Sequence, residues 1–237
     1  MEPAEYELMD AVEDRMWWYR ALHARLGDAL AGVDGPVLDA GCGTGGFLAT
    51  LRRGNAARPL FGLEWDAGAA DRARAKSAAL VVRGSVNALP FAAGSFAAAV
   101  SADVLCHAAV EPSRALAELH RVLRPGGRLV LNMPAFRWLL SAHDVRVHNV
   151  RRQTARETRA MLRNSGFRPI RVCYWNGLLL PLMALQRKVL ARGDAASDVA
   201  PFPPWLDTML HATTECERRL PFRLPAGGSV LAIAERP

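Results

Sequence analysis

The sequence predicts an α/β fold: a mostly parallel sheet with helices on both faces. Three observations carry that expectation. From Val37 onward, short apolar runs of strand length alternate with longer amphipathic segments, the pattern of strand–helix–strand crossovers. The first apolar run ends in an acid and passes through a glycine loop straight into a helical pattern, Val37-Leu38-Asp39-Ala40-Gly41-Cys42-Gly43-Thr44-Gly45-Gly46-Phe47-Leu48. The chain has 237 residues, 51% of them hydrophobic, enough to bury the core of one α/β domain.

Residues 4–31 read as helix, because Leu8, Val12, Met16, Tyr19, Leu22 and Leu26 recur at three-to-four spacing and make one apolar face. The first strand is Val37–Ala40, with a helix after Gly45. The second is Pro59–Glu64, and Asp66 then N-caps the next helix. Strands follow at Leu80–Arg83 and Phe96–Ser101. A helix starts near Pro112, a residue suited to a first turn, and ends before Pro125-Gly126-Gly127; the fifth strand is Arg128–Met133. Residues 134–153 are rich in aromatic residues, histidine and arginine and show no clear period. A helix over Thr154–Asn164 stops before Gly166, and Arg168–Trp175 is the sixth strand. An apolar helix near Leu178–Ala191, a polar, proline-rich loop through Pro204 and an amphipathic helix over Trp205–Leu220 then interrupt the sheet. The seventh strand is Ser229–Ala234.

Lysine and arginine number 30 against 23 aspartates and glutamates, a net charge of +7. Two readings of that excess stay open: an anionic partner (nucleic acid, a phospholipid surface or a phosphorylated substrate), or a genome that encodes arginine freely. Cys42, Cys106, Cys173 and Cys216 are far apart and form no C-x-x-C pair, so neither a zinc site nor a disulfide scaffold is expected. A reducing, cytoplasmic setting fits. Glu2, Glu5 and Glu7 carry the wrong charge for a secretory signal. The longest apolar run, Gly177 to Leu185, is broken by Pro181 and is too short to span a bilayer.

The glycine loop brings bare backbone and a helix start to a ligand. Its spacing also satisfies the dinucleotide fingerprint, since Gly41, Gly43 and Gly46 form G-x-G-x-x-G, so spacing alone leaves a nicotinamide enzyme open. Asp39 tips the balance, because a carboxylate there attracts an ammonium group and repels a pyrophosphate. Asp39-Ala40-Gly41-Cys42-Gly43-Thr44-Gly45 closely resembles the first motif of the class I S-adenosylmethionine (SAM) methyltransferases. Three further segments are similar to the type 11, ubiquinone/menaquinone-type members: Gly84-Ser85-Val86-Asn87-Ala88-Leu89-Pro90-Phe91, Ser101-Ala102-Asp103-Val104-Leu105-Cys106-His107 and Arg121-Val122-Leu123-Arg124-Pro125-Gly126-Gly127. The resemblance implies a Rossmann-like, doubly wound, mostly parallel seven-stranded sheet with an N-terminal helix and a helical insertion before the last strand. It implies one domain over 1–237, with a helical cap at 1–31 and substrate-side insertions at 134–153 and 177–226.

SAM is the implied cofactor and S-adenosylhomocysteine the product. The cofactor residues expected are Asp39, Gly41, Cys42, Gly43, Gly45, Glu64, Trp65, Ser85, Val86 and Ser101. Glu64 ends the second strand, where an acid grips ribose hydroxyls. Trp65 offers a face to adenine or packs in the core. Family members often carry aspartate at the position of Ser85, whose hydroxyl makes a weaker contact. Val86 offers a backbone N–H to the ring.

Methyl transfer needs the acceptor held in line with the sulfur, and a base only where the acceptor must lose a proton. Candidate catalytic residues are His107, after the fourth strand, and His143, Asp144 and His148 in the irregular segment, where Asp144 can orient an imidazole. No third ligand has the spacing for a metal site. Trp17-Trp18-Tyr19 reads as a lid or a staple to the sheet. The segment from Pro134 to Arg152, with Trp17-Trp18-Tyr19 and Tyr174-Trp175-Asn176, loosely resembles a bacterial type 11 subgroup met in sugar- and lipid-modifying pathways.

The expected acceptor is therefore a small molecule, sugar or lipid-linked compound, with O-methylation ahead of N-methylation. A nucleic-acid methyltransferase is the alternative. It is disfavoured because Ser101-Ala102-Asp103-Val104 stands where amino-methylating enzymes carry Asn/Asp-Pro-Pro-aromatic, and because the only basic cluster, Arg146–Arg159, is short. A non-catalytic SAM-binding protein is the other alternative. Leu178–Leu190 with Arg187, Lys188 and Arg192 reads either as a contact to an anionic membrane or as a dimerisation or capping helix, and both a monomer and a homodimer remain open.

Overall fold

A computed structural model of the protein describes residues 3–187 and 202–237. Seven strands form one sheet: β1 (Val37–Ala40), β2 (Leu60–Glu64), β3 (Leu80–Arg83), β4 (Phe96–Ala102), β5 (Leu123–Pro134), β6 (Arg168–Trp175) and β7 (Ser229–Glu235). Their order is β3-β2-β1-β4-β5-β7-β6. The pairs β1/β2, β1/β4, β2/β3 and β4/β5 are parallel, while β7 runs antiparallel to both β5 and β6. The order reverses between β1 and β4, so the crevice beyond their carboxyl ends is the natural ligand position of such a sheet.

The sheet is buried on both sides. Leu129, Leu131 and Met133 of β5 enter one core with Leu116 and Leu119, whereas Val130 between them enters another with Leu22, Leu26 and Leu48. Adjacent side chains of a strand point to opposite faces, which is why the central strands read as continuous apolar runs. The helices are α1 (Pro3–Val12), α2 (Trp17–Ala29), α3 (Gly46–Gly54), α4 (Ala67–Ser77), α5 (Pro112–Val122), α6 (Ala142–Arg146), α7 (Ala155–Asn164), α8 (Leu180–Leu185) and α9 (Pro204–Arg218). Asp66 caps α4 by accepting from Ala69 N–H at 2.8 Å, and Thr154 with Glu157 forms a reciprocal capping box on α7.

Several boundaries differ from the sequence expectation, each for a tertiary reason. The helix expected over 4–31 is broken. Met16 is extended, and Trp17 N–H donates to Asp207 Oδ1 of α9 at 2.7 Å, so a distant carboxylate starts α2. A small apolar cluster of Val12, Met16, Trp17 and Leu210 sits at that break. The strand β5 begins at Leu123 rather than Arg128, because Leu123 already pairs with Phe96 before the register shifts around the Gly126 turn. Residues 134–153, expected to be irregular, contain a 3-10 turn at Arg137–Leu139 and the short α6. The apolar helix expected near Leu178–Ala191 is described as α8 only over Leu180–Leu185, and its end falls outside the described residues. Among the described residues, no helix is long and apolar enough to cross a membrane.

Candidate functional site

A cavity of about 910 Å³ opens beyond the carboxyl ends of the parallel strands. Its floor is the turn after β1. Gly41 and Cys42 both donate to Leu63 O of β2, at 2.8 and 3.0 Å, so the turn is stitched to the neighbouring strand. Gly41 has φ 91°, and a Cβ there would lie 2.3 Å from Val104 Cγ2. Glycine is needed on both counts. Gly45, also at positive φ, plays a different part: a Cβ would lie 2.7 Å from Ala73 Cα, so this glycine lets α3 pack on α4.

Glu64 is the hub of the floor. Its Oε2 accepts from Gly43 N–H at 2.9 Å. Its Oε1 accepts from Tyr6 Oη at 3.0 Å, Trp65 N–H at 2.9 Å and Asp66 N–H at 3.1 Å. Burial and the neighbouring Glu64 carboxylate together hold the Tyr6 phenol well above its ordinary range. Asp39 lies buried nearby, and burial, reinforced by Glu64 and Glu13, pushes its carboxyl up to about 7.

The helix α1 forms the roof. Met9 Cε reaches within 2.7 Å of where a Gly43 Cβ would be. Just past α1, Glu13 is buried and accepts from Thr44 Oγ1 at 2.6 Å and from Gly46 N–H at 3.2 Å, and it pairs with Lys76. Burial nonetheless holds the Glu13 carboxyl above its usual range. Beyond the floor the cavity widens into an apolar compartment between Met16, Trp17, Trp18, Leu22, Leu179 and Leu206.

The structure brings Asp39, Gly41, Cys42, Gly43, Glu64, Trp65, Ser85 and Val86 to this one cavity, which His107, Asp144 and His148 also line. Trp65 is 70% exposed and free of the core. Ser85 Oγ accepts from Asn87 N–H at 3.2 Å, and Val86 is buried. Burial lowers the His107 imidazole to about 4, so it is neutral at pH 7. His148 is exposed and sits at a φ of 58°.

Three expectations need correction. Ser101 is fully buried and donates to Ala40 O at 3.0 Å; it ties β4 to β1 and is not among the residues lining the cavity. Gly45 packs helices and is likewise absent from the lining. Among the described residues Asp144 meets no imidazole. It is 1% exposed, and its oxygens accept from Arg152 at 2.9–3.1 Å and from Ser141 N–H at 2.9 Å, with Arg187 at 3.4 Å. Arg152 holds Ala135 O as well, so the pair fastens α6 to the end of β5. The backbone of His143 lies in α6, but its side chain is outside the described residues.

The cavity also holds residues the sequence reading did not single out: Tyr6, Met9, Glu13, Asp103 and Leu206. The contacts of α1 and α9 are long-range and leave no local signal. Asp103 had one, since it follows β4 as Glu64 ends β2.

Residues 38–131 match the family described as a methyltransferase domain. The chain is 34% identical over 132 residues to a ubiquinone/menaquinone biosynthesis C-methyltransferase of Desulfotalea psychrophila, covering 53% of this chain and 52% of that protein. It is 38% identical over 119 residues to an uncharacterized 37.1 kDa transposon protein of Streptomyces fradiae, covering 48% of this chain and 32% of that one. The chain thus spans about a third to a half of the length of the curated relatives it matches. Among solved structures it is similar to geranyl diphosphate C-methyltransferase from Streptomyces coelicolor, with a TM-score of 0.64 and 18% identity over 92% of this chain and 78% of that one. At that identity the likeness is one of fold.

Replacing Arg152 with leucine takes the bidentate cation from the buried Asp144 carboxylate, leaving it Ser141 and the longer contact to Arg187, and is expected to cost about 3 kcal/mol of stability. The double variant Asp144→Leu/Arg152→Leu should recover most of that loss. Chemical denaturation of the two variants checks this, and equal losses would contradict the pairing.

Proposed function

We propose, for a chain whose residues 38–131 match a methyltransferase-domain family, that it is a SAM-dependent methyltransferase. The observation that carries the cofactor reading is Glu64 standing at the end of β2 with one oxygen on the glycine turn. A carboxylate offers about four lone-pair sites. Oε1 already serves three donors, Tyr6 among them, while Oε2 serves one. One ribose hydroxyl is received on Oε2 directly, and the second takes the place of Tyr6. Asp39 supplies the negative charge for the ammonium of the amino-acid tail. Trp65, Ser85 and Val86 stand where the adenine is received, Trp65 with an exposed ring face.

The sulfonium carries the reactive methyl group. The nucleophile attacks the methyl carbon, the carbon–sulfur bond breaks with its electron pair going to sulfur, and a neutral thioether remains. The chain's own residues bind both partners, line them up and exclude water. Residues 1–31 act as the cap, and 134–153 with the described part of 177–226 wall the acceptor side. The acceptor has an apolar body, matched to the compartment between Met16, Trp17, Leu22 and Leu206, and a polar end toward Asp103, His107 and His148. A lipid-like compound methylated on oxygen, or next on nitrogen, suits it best. The solved neighbour's acceptor, geranyl diphosphate, also has an apolar body.

Calorimetry should show S-adenosylhomocysteine binding, weakened at least tenfold by Glu64→Ala; unchanged binding in that variant would contradict the ribose assignment. The affinity should also depend on pH. Burial raises the Asp39 carboxyl to about 7, so below that pH it is protonated and must lose a proton to receive the ammonium. Affinity should therefore fall by up to about tenfold per pH unit below 7, with proton release on binding. A flat profile between about pH 5 and 8 would remove Asp39 from that role.

A further inference from the structure

Asp103 lies one residue past the end of β4 and faces the cavity. Its φ is 54°, a left-handed conformation uncommon for a residue with a Cβ. The strain accompanies a definite placement. Asp103 N–H donates to Asn132 O at 2.9 Å, and the Val104 side chain that follows fills the space against Gly41. Asp103 thus lines the cavity immediately before the residue that packs on the glycine turn.

The carboxylate is also oriented. Both of its oxygens accept from Asn132 Nδ2, at 3.0 and 2.9 Å. The direction of that amide is fixed by Trp175, whose indole N–H can only donate. It donates to Asn132 Oδ1 at 2.8 Å, which turns the NH₂ toward Asp103. Asn132 is fully buried and Trp175 nearly so. The indole is itself held by the Arg25 guanidinium, 4.6 Å from its centroid, and by Trp18 stacked at 6.2 Å. A strained acid on a cavity wall, aimed by two buried side chains, is more than core packing needs.

Resting on the methyltransferase reading above, we propose that Asp103 accepts the proton of a hydroxyl or amine acceptor during methyl transfer, and that Asn132 and Trp175 are positioning residues for its carboxylate. The balance is simple. The acceptor oxygen or nitrogen bonds to the methyl carbon, the sulfur keeps the electron pair of the broken bond, and the acceptor's proton moves to Asp103 and then to water.

The neighbouring groups fill this role less well. His107 is held neutral by burial at about 4, with its ring against the backbone of Val147 and Asp103, and so binds a proton weakly. Asp144 is spent on Arg152. His148 is exposed. Asp103 is raised by burial to about 6, although Asn132 and Arg152 pull it down and Asp144 pushes it up, so it holds a proton better than His107 does.

The test uses the full chain saturated with S-adenosylhomocysteine and titrated with dodecylamine, a primary amine on an apolar body, between about pH 6 and 9. The amine is expected to bind, and Asp103→Asn to weaken it at least tenfold while leaving the S-adenosylhomocysteine affinity within twofold, which also reports that the variant folds. Asp103→Glu should restore part of the affinity. Asn132→Ala should shift the pH midpoint of amine binding upward, a change that a merely structural role would not produce. With labelled SAM, transfer to the amine should fall about a hundredfold or more in Asp103→Asn. Equal amine affinity in the wild type and Asp103→Asn, or no amine binding by the wild type, overturns the proposal. Failure of the wild type to bind S-adenosylhomocysteine overturns instead the methyltransferase reading on which it rests.

Discussion

The Glu64 carboxylate ties together the turn after β1, the start of the crossover after β2, and Tyr6 of α1. It takes Gly43 N–H from the turn after β1 and Trp65 and Asp66 N–H from the start of the next crossover. Hydrogen bonds to a charged group are worth roughly twice their neutral counterparts, and these are shielded from water by α1. The turn is thus held open and rigid before any ligand arrives. Remove that carboxylate, and the glycine loop keeps its two bonds to Leu63 O but loses the one at Gly43, while the Tyr6 hydroxyl loses its anchor. The shape of the crevice and the closure of its roof depend on the same two oxygen atoms.

The interior this creates is unusual in its charge. Asp39, Glu13, Glu64 and Asp103 all face one cavity, and burial makes Asp39, Glu13 and Asp103 weaker acids than usual. Burying so many acids together is costly without a cation. Lys76 partly offsets Glu13 from the side. The ammonium of the proposed cofactor would relieve Asp39, and that relief is binding energy.

Much of this was legible in the sequence, for physical reasons that stop at a definite point. The seven strands and the Asp66 cap were readable because period and capping are local properties. The glycine turn and Glu64 were readable because the end of a parallel strand is where such sheets bind ligands. What escaped is set by distant contacts. Nothing near Trp17 announces that Asp207 will break the N-terminal helix there. Nothing near Asp144 announces Arg152 as its partner rather than a histidine, since the choice is made by the fold of residues 141–152. Ser101 and Gly45 sat inside a functional motif, yet they hold strands and helices together. A motif marks a neighbourhood and leaves open which of its side chains face the ligand.

The most direct test is a crystal structure of the protein grown with S-adenosylhomocysteine. The ribose diol should lie on Glu64, the amino group near Asp39, and the Tyr6 hydroxyl should have moved off Oε1. Clear density for the compound anywhere else, or a vacant crevice with Tyr6 still bonded to Glu64, would contradict the account at its centre.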